Sequence, residues 1–190
     1  LVSADDPGMH SSQNEQDNRN YAKFAKIPML EPSDSQECKD FTKLALQISE
    51  EFDTPVMLRI TTRVAHGQSL VNLEDRVEIG VNEYKKNVPK YVMLPAFGRQ
   101  RHPLVEARRA ALVEYNEKAK CNAIELNSKK IGIITSGVVY QYVKEALPEA
   151  SILKLGMTYP LPKELIKNFA QKVEQVYVIE ELEPFLEEQI

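Results

Sequence analysis

The sequence lacks several features that define common classes of protein. Its 190 residues include two cysteines, Cys38 and Cys121, which form no CxxC motif and are too few for a four-cysteine iron–sulfur cluster. No apolar run is long enough to cross a bilayer, and no basic segment before an apolar core predicts a signal peptide. The formal net charge of −4 argues against general nucleic-acid binding. We therefore expect a cytoplasmic protein with free thiols that binds neither nucleic acid nor a membrane.

Motifs for nucleotide binding and for serine hydrolysis are also missing. The sequence has no GxGxxG and no Walker A pattern, and no GxSxG elbow. The composition is that of a soluble globular protein, with 43% hydrophobic and 27% charged residues, enough for one or two domains. A first residue that is leucine, and a last helical pattern that stops abruptly at Ile190, predict a fragment of a longer polypeptide.

The first 65 residues alternate between strand and helix patterns. Strands are predicted at the start of the chain, at residues 27–30 and at residues 56–61. A helix between the last two is predicted from a cap at Ser33 or Asp34 and from apolar residues at helical spacing, namely Phe41, Leu44, Ala45, Ile48 and Phe52. Strands that alternate with helices predict a parallel sheet with right-handed crossovers.

The loop after the first strand is unusually polar. Asp5-Asp6-Pro7-Gly8 predicts a turn, and Ser12 with Glu15 fits a capping box, so we expect a helix from about Ser12. No apolar residue occurs between residues 13 and 20. The first two turns of this predicted helix therefore face either water, which is the commoner case, or a polar ligand site.

Polar residues follow each of the three strands of the first unit. Because the carboxyl ends of parallel strands share one edge of a sheet, these side chains should converge there. They are Asp5, Asp6, His10, Glu31, Ser33, Thr62, Arg63 and His66. Arg63 is the best anion contact, since a guanidinium suits a carboxylate or phosphate. A surface position at a strand end is an equally good interpretation of this arginine.

The rest of the chain predicts a connector and a second unit. The connector, residues 66–127, contains an extended piece at 91–95, a basic turn at 96–103 and a helix at 104–120. Its arginines are interpreted as a solvated surface, namely Arg99, Arg101, Arg108 and Arg109.

The sequence of residues 128–190 predicts strands at 130–135, 151–156 and 176–181, with helices between them. Glu180 and Glu181 are interpreted as a cap of the following helix or as a contact between domains, in preference to a general acid. The fold class is α/β, with two small parallel-sheet units joined by a connector containing a helix.

Residues 4–17, ADDPGMHSSQNEQD, resemble the corresponding stretch of the α subunit of indolepyruvate:ferredoxin oxidoreductases, and the resemblance covers the whole chain. These are thiamine-diphosphate-dependent 2-oxoacid oxidoreductases. Residues 131–137, 154–162 and 176–181 resemble the C-terminal domain of transketolase-like enzymes. The resemblance implies that residues 1–65 end a pyrimidine-binding domain, and that residues 128–190 form most of a transketolase-C-like domain.

The resemblance also implies an activity, cofactors and partners. The family oxidatively decarboxylates aryl 2-oxoacids such as indolepyruvate to the acyl-coenzyme A and reduces ferredoxin. Its full enzyme uses thiamine diphosphate, Mg²⁺ and [4Fe-4S] clusters. None of these is expected to be bound by this chain alone, because the Gly-Asp-Gly motif for diphosphate and magnesium is absent. The implied partners are a second (β) subunit, ferredoxin, coenzyme A and the 2-oxoacid, in an oligomer.

The resemblance makes the polar loop a wall of the reaction site. His10 is the predicted catalytic residue, as a polar contact or proton shuttle, because histidine exchanges protons near neutral pH. The residues predicted to line the substrate or cofactor are Asp6, Gln13, Gln16, Asp17 and Arg63. One alternative is a site for Mg²⁺ or Mn²⁺ formed by the hard ligands of this loop, Asp5, Asp6, His10, Glu15 and Asp17. Another is a non-catalytic scaffold in which the polar face is buried against another chain.

Overall fold

A computed structural model describes residues 1–81 and 83–190, which form two four-stranded sheets. The strands are β1 (Val2–Asp5), β2 (Met29–Leu30), β3 (Met57–Thr61), β4 (Ala123–Glu125), β5 (Ile131–Ser136), β6 (Ser151–Leu155), β7 (Met157–Tyr159) and β8 (Gln175–Ile179). The helices are α1 (Arg19–Ala25), α2 (Ser35–Phe52), α3 (Thr62–His66), α4 (Val88–Tyr91), α5 (Pro95–Asn116), α6 (Val139–Ala146) and α7 (Lys163–Ala170). Short 3-10 turns occur at Pro7–Met9 and Glu187–Gln189.

The first sheet has the order β1-β3-β2-β7. β1, β3 and β2 run parallel, as the alternation of strands and helices predicts, while β7 pairs with β2 in the antiparallel sense. Helix α2 begins where the sequence predicts, because the Asp34 carboxylate accepts the Glu37 N–H at 2.9 Å. Phe41 and Ile48 on this helix are buried against the sheet side of the first unit.

The second sheet has the order β4-β6-β5-β8. β6, β5 and β8 are parallel, and β4 is an antiparallel edge strand. The strands predicted at 130–135, 151–156 and 176–181 and the helices between them are confirmed with small shifts of their ends. The helical pattern predicted to run to Ile190 is wrong, because only a 3-10 turn forms at Glu187–Gln189. The strands β4 and β7 were not predicted. Both sheets are therefore mixed and mostly parallel, which confirms the α/β class.

The predicted helix at Ser12 is wrong, because α1 begins only at Arg19. The Glu15 carboxylate accepts the N–H of Gly8 at 2.6 Å instead of capping Ser12. The Asp5 carboxylate accepts the Asn18 N–H at 3.0 Å, immediately before α1. The polar residues between these points therefore form a loop held by carboxylates from both of its ends.

The predicted layout of the connector also needs correction. Helix α5 begins at Pro95, so residues 96–103 are helical and not a turn, and Tyr91 ends the short helix α4 instead of starting an extended piece. Pro103 lies inside α5, although proline usually marks a helix boundary. The helix ends at Asn116, not at 120, where the buried Asn116 amide donates to the carbonyl oxygens of Met157 and Pro160 at 3.0 and 2.8 Å.

The arginines of α5 contact surface acids, which agrees with their interpretation as a solvated face. Arg101 and Arg108 lie 3.9 and 3.8 Å from the Asp53 carboxylate, and Arg109 lies 3.1 Å from Glu106. Arg99 is exposed. None of the helices in the described part of the chain has the length and apolar character needed to span a membrane.

Gly156 carries the chain from the second sheet to the first, between β6 and β7. Its N–H donates to Asn122 Oδ1 at 2.9 Å and its carbonyl oxygen accepts the Glu31 N–H at 2.9 Å. A Cβ atom here would overlap the Cys121 carbonyl oxygen and lie 2.8 Å from its carbonyl carbon. Only glycine fits this close approach of two backbones.

Candidate functional site

The loop after β1 is anchored by the carboxylate of Asp6. Its Oδ2 accepts the backbone N–H groups of Ser11 and Ser12 at 2.7 and 2.6 Å, and its Oδ1 accepts the Thr62 hydroxyl at 2.5 Å. The Thr62 hydrogen bond, together with the two backbone bonds, holds the pKa of Asp6 well below its usual range against the opposing effect of burial. Asp6 is therefore ionised at neutral pH and ties the loop to the start of α3.

The chain turns sharply between Asp6 and His10. Gly8 and Met9 both have positive φ, 71° and 55°, and the Met9 N–H donates to the Asp6 carbonyl oxygen at 3.0 Å. A Cβ atom at Gly8 would lie 3.5 Å from His10 Nε2, so the imidazole packs across this glycine. His10 itself is exposed to solvent. The turn thus presents the imidazole on the surface of an otherwise fixed loop.

Two adjoining cavities lie along this loop. One, of about 370 Å³, is lined by His10, Ser11, Thr62, Arg63, His66 and Gly67. The other, of about 250 Å³, is lined by the Asp6 side of the loop, by Gln16 and by α3. Small-molecule sites are typically about 300–1,000 Å³. The first cavity combines two imidazoles, a guanidinium and a hydroxyl, a set that binds and protonates a small anion.

The structure separates the residues that the sequence predicts to converge. Asp6, His10, Thr62, Arg63 and His66 line the two loop cavities. Asp5 also lines the smaller cavity, and its carboxylate contacts Arg59. The other two face the second unit or the interior, because Glu31 contacts Arg59 and Thr158, and Ser33 bonds to Glu37. The predicted convergence is therefore correct for the residues of the loop and of α3, which line the loop cavities. It is wrong for the residues that follow β2, which do not line them.

The remaining predicted lining residues differ in their positions. Gln16 lines the smaller cavity, next to Asp6. Gln13 is exposed and is absent from the residues that line either cavity. The Asp17 carboxylate is buried and accepts the Arg19 Nε–H at 2.8 Å, so it points away from the loop cavities. Its role as a lining residue stays a prediction that this geometry does not favour.

Two buried arginines were missed by sequence reasoning. Arg59 on β3 bonds to Asp5 at 2.6 Å and to Glu31 at 2.8 Å, and both partners are buried. Arg19 bonds to Asp17, to Glu180 at 2.6 Å and to the carbonyl oxygens of Glu181 and Glu183 at 2.8 Å. Neither arginine belongs to a motif. The burial of each arginine depends on contacts with residues that are distant in the sequence, so local patterns do not predict it.

These arginines join the two units through a buried polar seam, which we define as Arg19, Glu31, Arg59, Thr61, Ser136 and Glu181 around a small cavity. Glu180 accepts the N–H groups of Leu186 and Glu187 at 2.9 and 3.1 Å and pairs with Arg19. It is thus an interdomain contact, as predicted. Burial raises the pKa of the Glu181 carboxyl, and the Thr61 hydroxyl and the Arg59 charge oppose that rise.

Changing Glu181 to glutamine is expected to stabilise the chain at neutral pH. Because the folded-state pKa of Glu181 is raised, the folded state holds this proton to a higher pH than the unfolded state. The free energy of unfolding therefore falls as the pH rises from the unfolded-state pKa of Glu181 through its folded-state pKa. The neutral amide of Glu181→Gln removes that loss. At pH 7.5 the melting temperature should rise by roughly 2–4 °C, the shift that about 1 kcal/mol produces in a chain of this size.

The advantage of Glu181→Gln should disappear at about pH 4, where the carboxyl is protonated in both states. Glu183→Gln is the matched control, because the Glu183 side chain is exposed and accepts only a 3.4 Å bond from Asn20. Thermal unfolding followed by circular dichroism at both pH values measures the difference. A variant that is no more stable than the parent at pH 7.5 would contradict the assignment.

The metal-site alternative finds no support in the loop geometry. Among residues 1–81 and 83–190, no group of three or more His, Cys, Asp or Glu side chains is placed to hold a metal ion. The Asp5 carboxylate accepts hydrogen bonds from Arg59 and from the Asn18 N–H. The Asp6 carboxylate accepts them from the Thr62 hydroxyl and from the N–H groups of Ser11 and Ser12. The acidic residues of this loop therefore organise the backbone.

Comparison with known proteins relates this geometry to one group of enzymes. The chain is 46% identical over 203 aligned residues to the indolepyruvate oxidoreductase subunit IorA of Pyrococcus horikoshii, and the match covers 100% of the chain. It is 41% identical over 193 residues to IorA of Archaeoglobus fulgidus, covering 98% of the chain. The predicted resemblance to the α subunit of indolepyruvate:ferredoxin oxidoreductases is therefore confirmed over the whole chain. The chain spans 31% of the length of each of these two relatives.

Two solved structures share the fold of this chain. A 2-oxoglutarate:ferredoxin oxidoreductase from Magnetococcus marinus superposes with a TM-score of 0.56 at 16% identity, covering 80% of this chain and 34% of that one. A split-gene transketolase, an inactive β4 tetramer, gives a TM-score of 0.50 at 12% identity and covers 94% of this chain and 46% of that one. These likenesses confirm the expected transketolase-like fold. No protein-family model matches the sequence.

Proposed function

We propose that this chain forms part of a 2-oxoacid:ferredoxin oxidoreductase of the indolepyruvate type, in which the loop after β1 borders the 2-oxoacid. One observation carries the proposal. The Asp6 carboxylate fixes the loop through Ser11, Ser12 and Thr62, and so places His10 on the same cavity as Arg63 and His66. A prearranged cationic and proton-exchanging wall suits a substrate that carries a carboxylate beside a carbonyl.

Each side chain has a separate role in this proposal. The Arg63 guanidinium binds the carboxylate of the 2-oxoacid, because its planar donors match the two oxygens. The His10 imidazole donates a hydrogen bond or a proton to the carbonyl side of the substrate. Gln16 is placed to orient groups in the adjoining cavity. The Asp6 network keeps these groups in position without contacting the substrate.

The described residues do not fit the diphosphate and metal end of a thiamine cofactor. Outside the undescribed residue 82, no group of three or more His, Cys, Asp or Glu side chains is placed to hold Mg²⁺, and the sequence has no Gly-Asp-Gly motif. We therefore assign thiamine diphosphate, Mg²⁺ and the [4Fe-4S] clusters to other parts of the enzyme. The two cysteines, Cys38 and Cys121, are both free, and they are too few for a four-cysteine cluster.

The proposal extends to domains and partners. Residues 1–65 end the pyrimidine-binding domain, residues 66–127 connect it, and residues 128–190 form most of a transketolase-C-like domain. The chain acts in a cytoplasmic oligomer with a second (β) subunit, and the assembly uses coenzyme A and ferredoxin. The names of the relatives and the transketolase-like fold support this arrangement.

Changing His10 to alanine in the assembled enzyme is expected to lower turnover of an aryl 2-oxoacid by more than about tenfold, since a general acid or base typically contributes about 10²–10⁴-fold. The substitution should leave folding unchanged, because the His10 side chain is exposed to solvent. Steady-state reduction of ferredoxin gives turnover, and circular dichroism gives the folded content.

His102→Ala is the matched control for this experiment. His102 is an exposed histidine of α5 that lies 4.0 Å from Glu106 and lines neither loop cavity. Its loss should leave turnover within the error of the parent. Equal turnover in the parent and in His10→Ala would rule out the role of His10.

A further inference from the structure

The ligand-binding edges of the two sheets face each other across the polar seam. In α/β proteins, ligands bind outside the carboxyl ends of parallel strands. In the second unit β5 ends at Ser136, and the turn to α6 follows at Gly137. In the first unit Glu31 follows β2, and β3 ends at Thr61. Residues from both edges line the same cavity, so each unit covers the edge of the other.

A single carboxylate from the first unit fills this edge of the second unit. Glu31 Oε1 accepts the Thr158 hydroxyl at 2.8 Å, while Oε2 accepts Arg59 Nη1–H at 2.8 Å and lies 3.5 Å from the Ser136 hydroxyl. The Glu31 N–H also donates to the Gly156 carbonyl oxygen at 2.9 Å. Both the side chain and the backbone of Glu31 therefore bond to groups contributed by the second half of the chain.

The carboxylate lies where an anionic ligand of the second unit would be expected. Gly137 adopts a φ of 53° between β5 and α6, and a Cβ atom there would lie 3.6 Å from Glu31 Oε2. A strand, a glycine turn and a helix N-terminus make a favourable position for negative charge. The buried Arg59 adds a positive charge from the opposite side and keeps one nitrogen, Nη2, without a hydrogen-bond partner among the described residues.

The remaining space excludes a further ligand. The cavity that Arg59 and Gly137 line has a volume of about 10 Å³. That volume holds roughly one water molecule. With Glu31 in place, a phosphate or an organic acid therefore has no room at this edge.

We propose that Glu31 is an intramolecular ligand that occupies the anion position at the carboxyl edge of the second unit. The second unit binds no external anion at this edge, and the position serves to join the two units. Removing the Glu31 carboxylate opens a site for a small free carboxylate, with Arg59 and Thr158 of the first sheet and Ser136 of the second as its donors. This inference is independent of the proposed reaction, since it concerns only contacts within the chain.

Chemical rescue tests the proposal. In the 190-residue chain, Glu31→Gly should lower the melting temperature, and sodium formate should restore it more than sodium chloride of the same ionic strength. Above the dissociation constant, each tenfold rise in formate should raise the ratio of folded to unfolded chain about tenfold. The parent chain should respond equally to the two salts. An equal response of Glu31→Gly to formate and chloride would overturn the proposal.

Two controls separate rescue from general salt effects. Leu30→Ala alters the neighbouring, fully buried residue of β2 and opens an apolar cavity, so formate should not stabilise it more than chloride does. Glu31→Gln keeps the volume of the side chain and should gain little from formate. If Glu31→Gly folds only with formate, its refolding yield becomes the readout. A yield that rises with formate alone supports the site, and no yield at any formate concentration rejects it.

Discussion

Replacing Arg59 with methionine is expected to lower the free energy of unfolding by roughly 3–5 kcal/mol, the cost of removing one partner from a buried ion pair. Arg59 is 3% exposed and bonds to two carboxylates, Asp5 and Glu31, which are equally buried. Without the guanidinium these two acids lose their shared cation and keep only the hydrogen bonds from Asn18 and from the Thr158 and Ser136 hydroxyls. Denaturant unfolding at neutral pH measures the loss.

Arg101→Met provides the comparison for Arg59→Met. Arg101 lies 3.9 Å from Asp53 at the surface, and such pairs contribute about 0–1 kcal/mol. The triple variant Arg59→Met, Asp5→Asn and Glu31→Gln removes all three charges together and should recover part of the stability. An Arg59→Met chain as stable as the Arg101→Met chain would show that Asp5 and Glu31 are compensated elsewhere.

Gly156→Ala is the second change with a large expected effect, at least about 3 kcal/mol, the upper end of the range for overpacking. Its methyl group would overlap the Cys121 carbonyl oxygen, which is backbone and cannot rotate away. Relief requires β7 to move, and this breaks the bonds from Gly156 to Asn122 and Glu31. Thermal unfolding should therefore show a lower and broader transition.

Gly98→Ala is the matched control for Gly156→Ala. A Cβ atom at Gly98 meets nothing within 4 Å, and the residue lies inside α5. Alanine there should stabilise the chain by about 1 kcal/mol, the difference in helix propensity between the two residues. If both Gly156→Ala and Gly98→Ala destabilise the chain, then helix propensity and the space around each Cβ atom do not explain the loss of stability in Gly156→Ala.

Much of the fold followed from local patterns. The Asp34 cap and the apolar spacing from Phe41 to Phe52 predict α2, because both signals depend only on neighbours in the sequence. The apolar runs before Thr61 and Ser136 predict β3 and β5 for the same reason. The whole-chain resemblance to indolepyruvate:ferredoxin oxidoreductases is confirmed by the IorA relatives.

The failures of sequence reasoning depend on partners far away in the chain. Ser12 and Glu15 fit a capping box, but Gly8 offers Glu15 a better donor after the turn has formed. β7 is three residues long, and only its pairing with β2 makes it a strand. Arg59 lies in an ordinary strand pattern, and its burial depends on Asp5 and Glu31, which no periodicity relates to it. The turn at Asp5–Gly8 was predicted, whereas the Asp6–Thr62 bond that fixes the loop was not.

The pairing of β2 with β7 has a consequence for the order in which the chain acquires its structure. Met29 pairs with Tyr159, so the first sheet lacks its fourth strand until most of the chain has been synthesised. Glu31, the ion-pair partner of the buried Arg59, also accepts a hydrogen bond from Thr158, which is far away in the sequence. Contacts this distant in sequence close slowly. Completion of the first sheet therefore depends on residues of the carboxyl-terminal half, so the two halves of this chain are expected to gain their final structure together.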